Sequence, residues 1–352
     1  IWSRMKAGIL APPNRDLIKK WIIACENMNV EYTVIDLISS NWFETLTRTN
    51  CDFLLTRPPG NLMHEKNMYD ERLYIIDNYT SFRMYPTYTE CFLYENKKLL
   101  SYFLKANNIP HPATQVFYSK PEALDFITTS SFPIVGKTSI GASGSGVRFI
   151  NTHSDAVKYI NQAFSKHGTR REVGPSKATG SPSKWIKKSL SNPGYLMNKL
   201  RAYRSIHSHG ERDFVLFQEY IPHTFEWRAA RIGESYFAHK KVLFGSKASG
   251  SKEIDYVEPP VSLLDFVHEL CERFSFTFMA IDILEYPEGK YLVNELQTLF
   301  GHVQDFIMSI SSIPGRYVLN QHDWVFQPGD FNSNESYDLR LKTIIRIEEG
   351  MG

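Results

Sequence analysis

Lys6 to Leu10 is a short apolar run ended by Pro12-Pro13-Asn14, and it predicts a strand. From Asp16 to Asn29 the apolar positions Leu17, Trp21, Ile22, Cys25 and Met28 recur at helical spacing along one face. Val30 to Asp36 and Cys51 to Thr56 return to strand character. Strand, helix and strand with short joints predict a parallel sheet covered by helices. Arg57-Pro58-Pro59-Gly60 closes that series in a loop.

Farther along, the elements shorten. Asn96 to Asn108 has helical spacing and stops at Ile109-Pro110-His111-Pro112. Ala113 to Tyr118 is extended, Lys120 to Thr128 helical, and Phe132 to Val135 a strand entering a glycine-rich stretch. Val147 to Ile150 is expected to pair back against it. Ser154 to His167 follows as a helix capped by Ser154 and halted at Gly168. Val215 to Pro222 is a strand broken by proline, and Glu226–Ile232 and Ser235–Val242 pair around Gly233-Glu234. Val261 to Phe274 is a helix, and Phe276–Glu285 with Lys290–Leu296 form a hairpin across Tyr286-Pro287-Glu288-Gly289.

From Lys166 to Arg212 the texture changes to a polar segment rich in Ser, Gly, Pro and basic residues, with few acids. It reads as a solvated, partly disordered insertion. The alternative is an arm for an anionic polymer, a phosphorylated carrier or a nucleic acid. Aromatic residues that would stack on bases are sparse there, so nucleic acid ranks last.

The totals narrow the classes. A chain of 352 residues can hold two or three structural units, and 42% apolar with 22% charged residues is ordinary for a globular protein. A net charge of +2 gives no global argument for nucleic acid or an anionic membrane. Cys25, Cys51, Cys91 and Cys271 are scattered without metal-finger spacing, which predicts reduced thiols. No apolar stretch is long enough to span a bilayer and no signal peptide is seen, so a cytoplasmic protein without membrane insertion is expected. Met5 reads as the natural first residue, after a foreign Ile1–Arg4.

Two stretches are candidates for chemistry. The first is Gly136-Lys137-Thr138-Ser139-Ile140-Gly141-Ala142-Ser143-Gly144-Ser145-Gly146. It is not a Walker loop, whose lysine follows the glycines, nor a dinucleotide fingerprint, because a strand and not a helix follows. Lys137 at a strand end, with a glycine loop behind it, can offer an ammonium and backbone N–H groups to phosphate oxygens. A plain Gly/Ser-rich hairpin turn explains the stretch equally well.

The second is the hairpin with Asp282 in an otherwise apolar run and Glu295 in Val293-Asn294-Glu295-Leu296-Gln297. A carboxylate in such a run is costly to bury without a compensating partner. Glu295 and Gln297 share a strand face, and antiparallel pairing would bring Asp282 to the same region. Two carboxylates and an amide oxygen suit Mg²⁺ bridging nucleotide phosphates. Surface acids paired with Lys and Arg are the alternative. Gln218-Glu219-Tyr220-Ile221 looks like an edge segment able to read an adenine, and Glu226 could accept from ribose hydroxyls.

In that order and spacing, residues 96 to 302 resemble the ATP-grasp ligases. The resemblance implies an α/β chain, α+β in its ATP-grasp part. An amino-terminal parallel αβ domain (5–95) would precede an ATP-grasp domain (96–345). The lid subdomain would span about 113–217 and include the basic insertion 166–212. Lys97 matches the first nucleotide-binding lysine of the family and Lys137 the second. Gly141, Ser143, Gly144, Ser145 and Gly146 match its mobile phosphate loop. Glu219, Tyr220 and Ile221 fall at the adenine hinge, and Glu226 at the ribose acid. Asp282, Glu295 and Gln297 match the metal set, although the family usually has Asn at the third place. Arg228 matches an arginine common in the branch with the protein-tail ligases. It is the candidate for stabilising an acyl-phosphate; a structural salt bridge is the alternative.

Lys240, in the basic run His239-Lys240-Lys241, is a candidate phosphate contact and equally a solvated lysine. His302 reads as a packing or surface histidine before it reads as a border of the acceptor site. D-alanine ligases carry an arginine two residues before the first metal acid. Ala280 stands there, which favours the glutathione synthetase and protein-tail glutamate ligase branch.

The resemblance implies ATP and Mg²⁺ as cofactors and a ligase that joins a carboxylate to an amine through an acyl-phosphate. The substrate would be an amino acid, a peptide or a uronic-acid-containing saccharide, and a homodimer is compatible with it. A phosphoryl transferase on the same fold, a non-catalytic ATP-binding protein and an anionic-polymer binder are the rival readings.

Overall fold

In a computed structural model the chain is described over residues 5–141, 144–171, 210–244, 247–248, 254–286 and 289–350. It divides into two units, one of Ile1–Tyr94, Glu226–Lys241 and Ile254–Gly352, the other of Glu95–Phe225 and Val242–Glu253.

The first unit opens with β1 (Lys6–Ala11), α1 (Lys19–Asn27), β2 (Glu31–Asp36), α2 (Trp42–Arg48) and β3 (Phe53–Leu55). Then come α3 (Met63–Tyr79), β4 (Met84–Tyr85) and α4 (Tyr88–Leu93). The strands form one parallel sheet in the order β2-β1-β3-β4, as the strand–helix–strand rhythm predicts. The predicted first helix starts late, because Arg15–Ile18 is a separate 3-10 turn capped by Asn14. Residues 61–95 carry no predicted element, and the core face of α3 explains why. Its buried residues include Lys66 and Asp70, an ion pair one helical turn apart that interrupts the apolar stripe.

The second unit holds α5 (Lys97–Ala106), β5 (Thr114–Phe117), α6 (Lys120–Thr129), β6 (Ile134–Lys137), β7 (Val147–Ile150), α7 (His153–Ala163) and β8 (Val215–Glu219). Its sheet is antiparallel, in the order β5-β8-β6-β7. Phe117, Ile127, Ile134, Ile160 and Phe217 pack between that sheet and α6 and α7. Strand β6 begins after Pro133, which lacks an N–H for the ladder, and runs on to Lys137. Helix α7 is capped by Thr152 and not by Ser154, the Thr152 hydroxyl accepting from Asp155 N at 3.2 Å. Most of the basic segment lies outside the described residues. Its ends meet in a bridge, where Thr169 N donates to Glu211 O at 2.7 Å and Glu211 N to Thr169 O at 2.9 Å.

The first unit is completed by all but the first residue of β9 (Phe225–Ile232), the larger part of β10 (Ser235–Phe244), α8 (Val261–Arg273), β13 (Phe278–Glu285) and β14 (Tyr291–Gln297). Short strands β11 (Lys247–Ala248) and β12 (Ile254–Asp255) add to β10. Beyond the predicted hairpin lie β15 (Ser309–Ile310), β16 (Ile313–Asn320), β17 (Asp323–Pro328) and helix α9 (Tyr337–Glu348). The resulting sheet runs β14-β13-β9-β10-β16-β15, with β17 beside β16. Tyr337 of α9 sets its ring edge-on to Trp21 of α1 at 4.7 Å. The Trp21 indole N–H donates to Thr56 O at 2.9 Å, so the widest buried ring of the parallel domain is also hydrogen-bonded. Among the described residues no helix is long and apolar enough to cross a membrane.

Glu90 joins the two parts of this unit. It completes a capping box with Thr87 at the start of α4, and its other oxygen accepts from Phe278 N of β13 at 2.7 Å. Replacing Glu90 with Ala removes a cap and strands a buried N–H. The expected loss is about 2–4 kcal/mol in a urea titration. A loss below about 1 kcal/mol would show that Glu90 does not join the two parts.

Candidate functional site

Three neighbouring strands place one residue each in a single row. Asp282 of β13 lies opposite Glu295 of β14 on one side and Arg228 of β9 on the other. Opposed residues of an antiparallel ladder share a face. Gln297, two residues beyond Glu295 and opposite Ala280, joins the same face. The register slips between Asp282 and Ile283, leaving Asn294 as the extra residue of a bulge.

Asp282 is buried, and both its oxygens are engaged by cations. Oδ1 accepts from Arg228 Nε at 2.9 Å, and Oδ2 accepts from Arg228 Nη2 at 2.9 Å and Lys241 Nζ at 2.6 Å. Lys241 Nζ also pairs with Glu226 Oε2 at 2.7 Å, while Glu226 Oε1 accepts from Asn294 Nδ2 at 3.1 Å. Arg228 Nη2 donates a further bond to Gln297 Oε1 at 3.1 Å. Of the five guanidinium N–H groups, Nε and Nη2 are thus engaged, and Nη1 donates to none of the described residues.

Burial by itself would push the Asp282 carboxyl up. Arg228 and then Lys241 outweigh it and hold the group well below the usual carboxylate range. Burial likewise opposes the Lys241 ammonium, but Asp282 and Glu226 raise its pKa above the ordinary lysine value. Asp282 and Lys241 therefore stabilise one another's charged forms. His239, on the same β10 face as Lys241, behaves differently. Its Nδ1 meets Ile307 O at 2.9 Å, and burial, reinforced by His302 and Arg228, brings its pKa down to about 3. His302 is also buried, with Nε2 on Phe306 O at 2.7 Å, and burial lowers its pKa too. Both imidazoles are neutral near pH 7.

The second unit carries the lysines and the glycine loop. Lys137 is buried at the last position of β6, opposite Val147 and Leu216. The loop closes through Thr138 N on Gly146 O at 2.9 Å and Val147 N on Gly144 O at 3.2 Å. Gly141 and Gly144 have φ of 144° and 70°, values that favour glycine, and a Cβ at Gly146 would lie 1.9 Å from Thr138 Oγ1. Ser145 is described within the loop, whereas Ser143 lies outside the described residues.

Two acids that sequence reasoning missed hold the base of this loop. Glu211 accepts from Ser139 N at 2.6 Å and Ile140 N at 2.9 Å, and Glu95 accepts from Gly141 N at 2.8 Å. Lys97 Nζ donates to Gly141 O at 3.1 Å and lies 3.5 Å from Glu95 Oε2. Three successive N–H groups of the loop, those of Ser139, Ile140 and Gly141, are therefore held by carboxylates and not offered to a phosphate. At the end of β8, Glu219 N donates to Ala113 O at 2.8 Å, the Tyr220 ring lies 5.7 Å from that of Phe149, and Ile221 O meets His223 Nδ1 at 2.6 Å.

The expected site residues thus fall into two sets. Glu226, Arg228, Asp282, Glu295 and Gln297 gather in the first unit, and Lys97, Lys137, Gly141, Gly144–Gly146 and Glu219–Ile221 belong to the second. Lys240 belongs to the first unit but turns away, its ammonium 5.0 Å from the Trp227 ring centroid. Its neighbour Lys241 enters the acidic cluster, as the strand period through Phe237 and His239 could have indicated. Asn294 had no readable signal, because a bulge cannot be counted from the sequence.

Asp282 has a folded-state pKa below its unfolded value. The stability this confers is present above the unfolded pKa, about 3.9, and is lost as the pH falls through the folded-state value. Asp282→Asn leaves Arg228 and Lys241 short of a carboxylate and should cost about 3–5 kcal/mol at pH 7. Urea titrations should find that penalty smaller at pH 3; a penalty unchanged between the two pH values would contradict the pairing.

No family profile and no curated protein matches the sequence. Solved structures do. The RimK domain protein ATP-grasp from Sphaerobacter thermophilus DSM 20745 is 15% identical over 84% of this chain and 91% of its own, with a TM-score of 0.51. The D-alanine–D-alanine ligase of Bacillus anthracis is 12% identical over 99% of this chain and 100% of its own, with a TM-score of 0.53. An N5-carboxyaminoimidazole ribonucleotide synthetase solved as its ADP complex is 12% identical over 87% and 72%, with a TM-score of 0.55. At these identities the likeness is one of architecture, and it agrees with the order of the sheets and loops above: the chain has the ATP-grasp fold.

Proposed function

We propose that the protein is an ATP-dependent ligase that joins a carboxylate to an amine and releases ADP and phosphate. One observation carries the reading: a row of Arg228, Asp282 and Glu295, with Gln297 on the same face, in a chain of ATP-grasp fold. A carboxylate oxygen of the acid attacks the γ-phosphorus, the bond to the β–γ bridging oxygen breaks, and ADP departs. The amine nitrogen then attacks the acyl carbon. The C–O bond to phosphate breaks with its electron pair, and the amine loses a proton.

The donor chemistry suits Mg²⁺. Among the described residues no three His, Cys, Asp or Glu side chains form a cage, so two carboxylates and an amide oxygen would share the ion with nucleotide phosphates. Asp282, Glu295 and Gln297 would hold it, and it would supply charge neutralisation for the transferring phosphoryl group. Lys97 and Lys137 would engage nucleotide phosphates, with Gly144, Ser145 and Gly146 screening them from water. The hinge Glu219–Ile221 would take the adenine, and Glu226 would accept from the ribose. Arg228 is suited to the acyl-phosphate, because Asp282 and Gln297 fix its plane while Nη1 remains to donate. Ala280, where D-alanine ligases carry an arginine, supports the protein-tail and glutathione synthetase branch. A free amino acid, a peptide or a uronic-acid-containing saccharide is the proposed acid class.

An ADP-release screen over amino acids, uronic acids and amines, with a hydroxylamine arm, tests the reading. An active acid should give ADP and, with hydroxylamine, its hydroxamate. Glu295→Ala should lower turnover at least about a thousandfold, as expected when a main electrostatic contact of the transition state is removed. ADP release without hydroxamate from any acid would contradict ligation, and near-normal turnover in Glu295→Ala would overturn the metal assignment.

A further inference from the structure

The first unit contains a cavity of about 660 Å³ that the ligase reading does not use. It lies where the turn between β9 and β10 meets α9, whereas the acidic row crosses β9 near its middle, at Arg228. Gly233 makes this turn with φ of 60°, and a Cβ there would meet Thr343 Cγ2 of α9 at 2.5 Å. One face of α9 lines the cavity: Leu339, Thr343 and Ile347 are its half-buried positions, and Lys342 and Arg346 its exposed ones. Met28 and Phe331 add apolar wall. The volume falls within the range of about 300–1,000 Å³ typical of small-molecule sites.

Arg316 gives this cavity its chemistry. Its Nε and Nη2 donate to Gln327 Oε1 at 3.1 and 2.9 Å, and its Nη1 to Ser235 Oγ at 2.7 Å. Its guanidinium carbon lies 4.6 Å from the Phe331 ring centroid. The plane is therefore fixed by neutral partners, and two of the five N–H groups, one on each Nη, remain. Burial lowers the Arg316 pKa, and Arg346 lowers it further, so two cations face one another across the site. Glu234 opposes that effect. The other lining acids have local duties: Asp338 accepts from Asn27, Ser333 and Asn334, and Asp330 from Asn332 N. Arg231, also on the wall, is paired with Glu272 at 2.6 Å.

We propose that this cavity is a second small-molecule site, for an organic anion that carries one phosphate or carboxylate on an apolar body. The anionic group takes the two remaining N–H groups of Arg316, in the end-on fork that guanidinium offers to planar or tetrahedral oxyanions. Arg346 and Lys342 screen its charge from the rim. The apolar body rests on Phe331 and on the half-buried face of α9. The site is independent of the ligase reading, since it shares no residue with the acidic row or the glycine loop.

Calorimetric titration of the purified chain with phenyl phosphate and with benzoate tests this. Saturating adenosine 5′-(β,γ-imido)triphosphate and Mg²⁺ are present throughout to block any nucleotide site. One aromatic anion should bind at a single site, more tightly than inorganic phosphate, and the tighter of the two identifies the preferred oxyanion. Arg316→Gln should weaken that binding about tenfold or more, and the exposed Arg346→Ala about threefold, in keeping with a charge-assisted and a screening contact respectively. Glu295→Ala should leave it unchanged. No saturable binding of either aromatic anion, or binding unaffected by both arginine substitutions, would overturn the proposal.

Discussion

The buried carboxylate of Asp282, shared between Arg228 and Lys241, is the interaction on which the first unit's chemistry depends. Each of these ions would cost several kcal/mol to bury alone, and none is tolerable without the others. Sheet geometry makes the grouping possible, because three adjacent strands present one residue each on the same face at the same level. In the cluster, Arg228 and Lys241 share the Asp282 carboxylate, and Lys241 also pairs with Glu226. As proposed above, a divalent ion would be held here together with nucleotide phosphate oxygens, which would complete its shell.

A comparable economy governs the second unit. The glycine loop is not a free cradle of N–H groups, because Glu95 and Glu211 accept from Ser139, Ile140 and Gly141. These acids fix the loop's base beside Lys97. Glu211 also anchors the far end of the basic insertion through its bridge to Thr169. Glu211 therefore contacts both Thr169 and the loop residues Ser139 and Ile140.

Much of this was legible in the sequence. Three of the four strands of the parallel sheet, β1 to β3, announced themselves in the sequence, and the hairpin carrying Asp282 and Glu295 by an acid set in Ala280-Ile281-Asp282-Ile283-Leu284. The illegible parts share a physical cause: charged residues serving as core. Helix α3 hides its amphipathic stripe behind the buried Lys66–Asp70 pair, and α4 is held by the buried Glu90. Of the adjacent Lys240 and Lys241, the one that enters the cluster is decided by strand phase. Glu211 stood out only as an acid in a basic stretch. Its role depends on contacts some seventy residues away along the chain, with Ser139 and Ile140.

The most direct test of this account is a Mn²⁺ titration followed by electron paramagnetic resonance, with and without adenosine 5′-(β,γ-imido)triphosphate. Mn²⁺ prefers the same oxygen donors as Mg²⁺. The account predicts weak binding of the ion alone, strong binding once the nucleotide is present, and loss of that ternary signal in Glu295→Ala. Tight Mn²⁺ binding without nucleotide, or a ternary signal that survives Glu295→Ala, would contradict it.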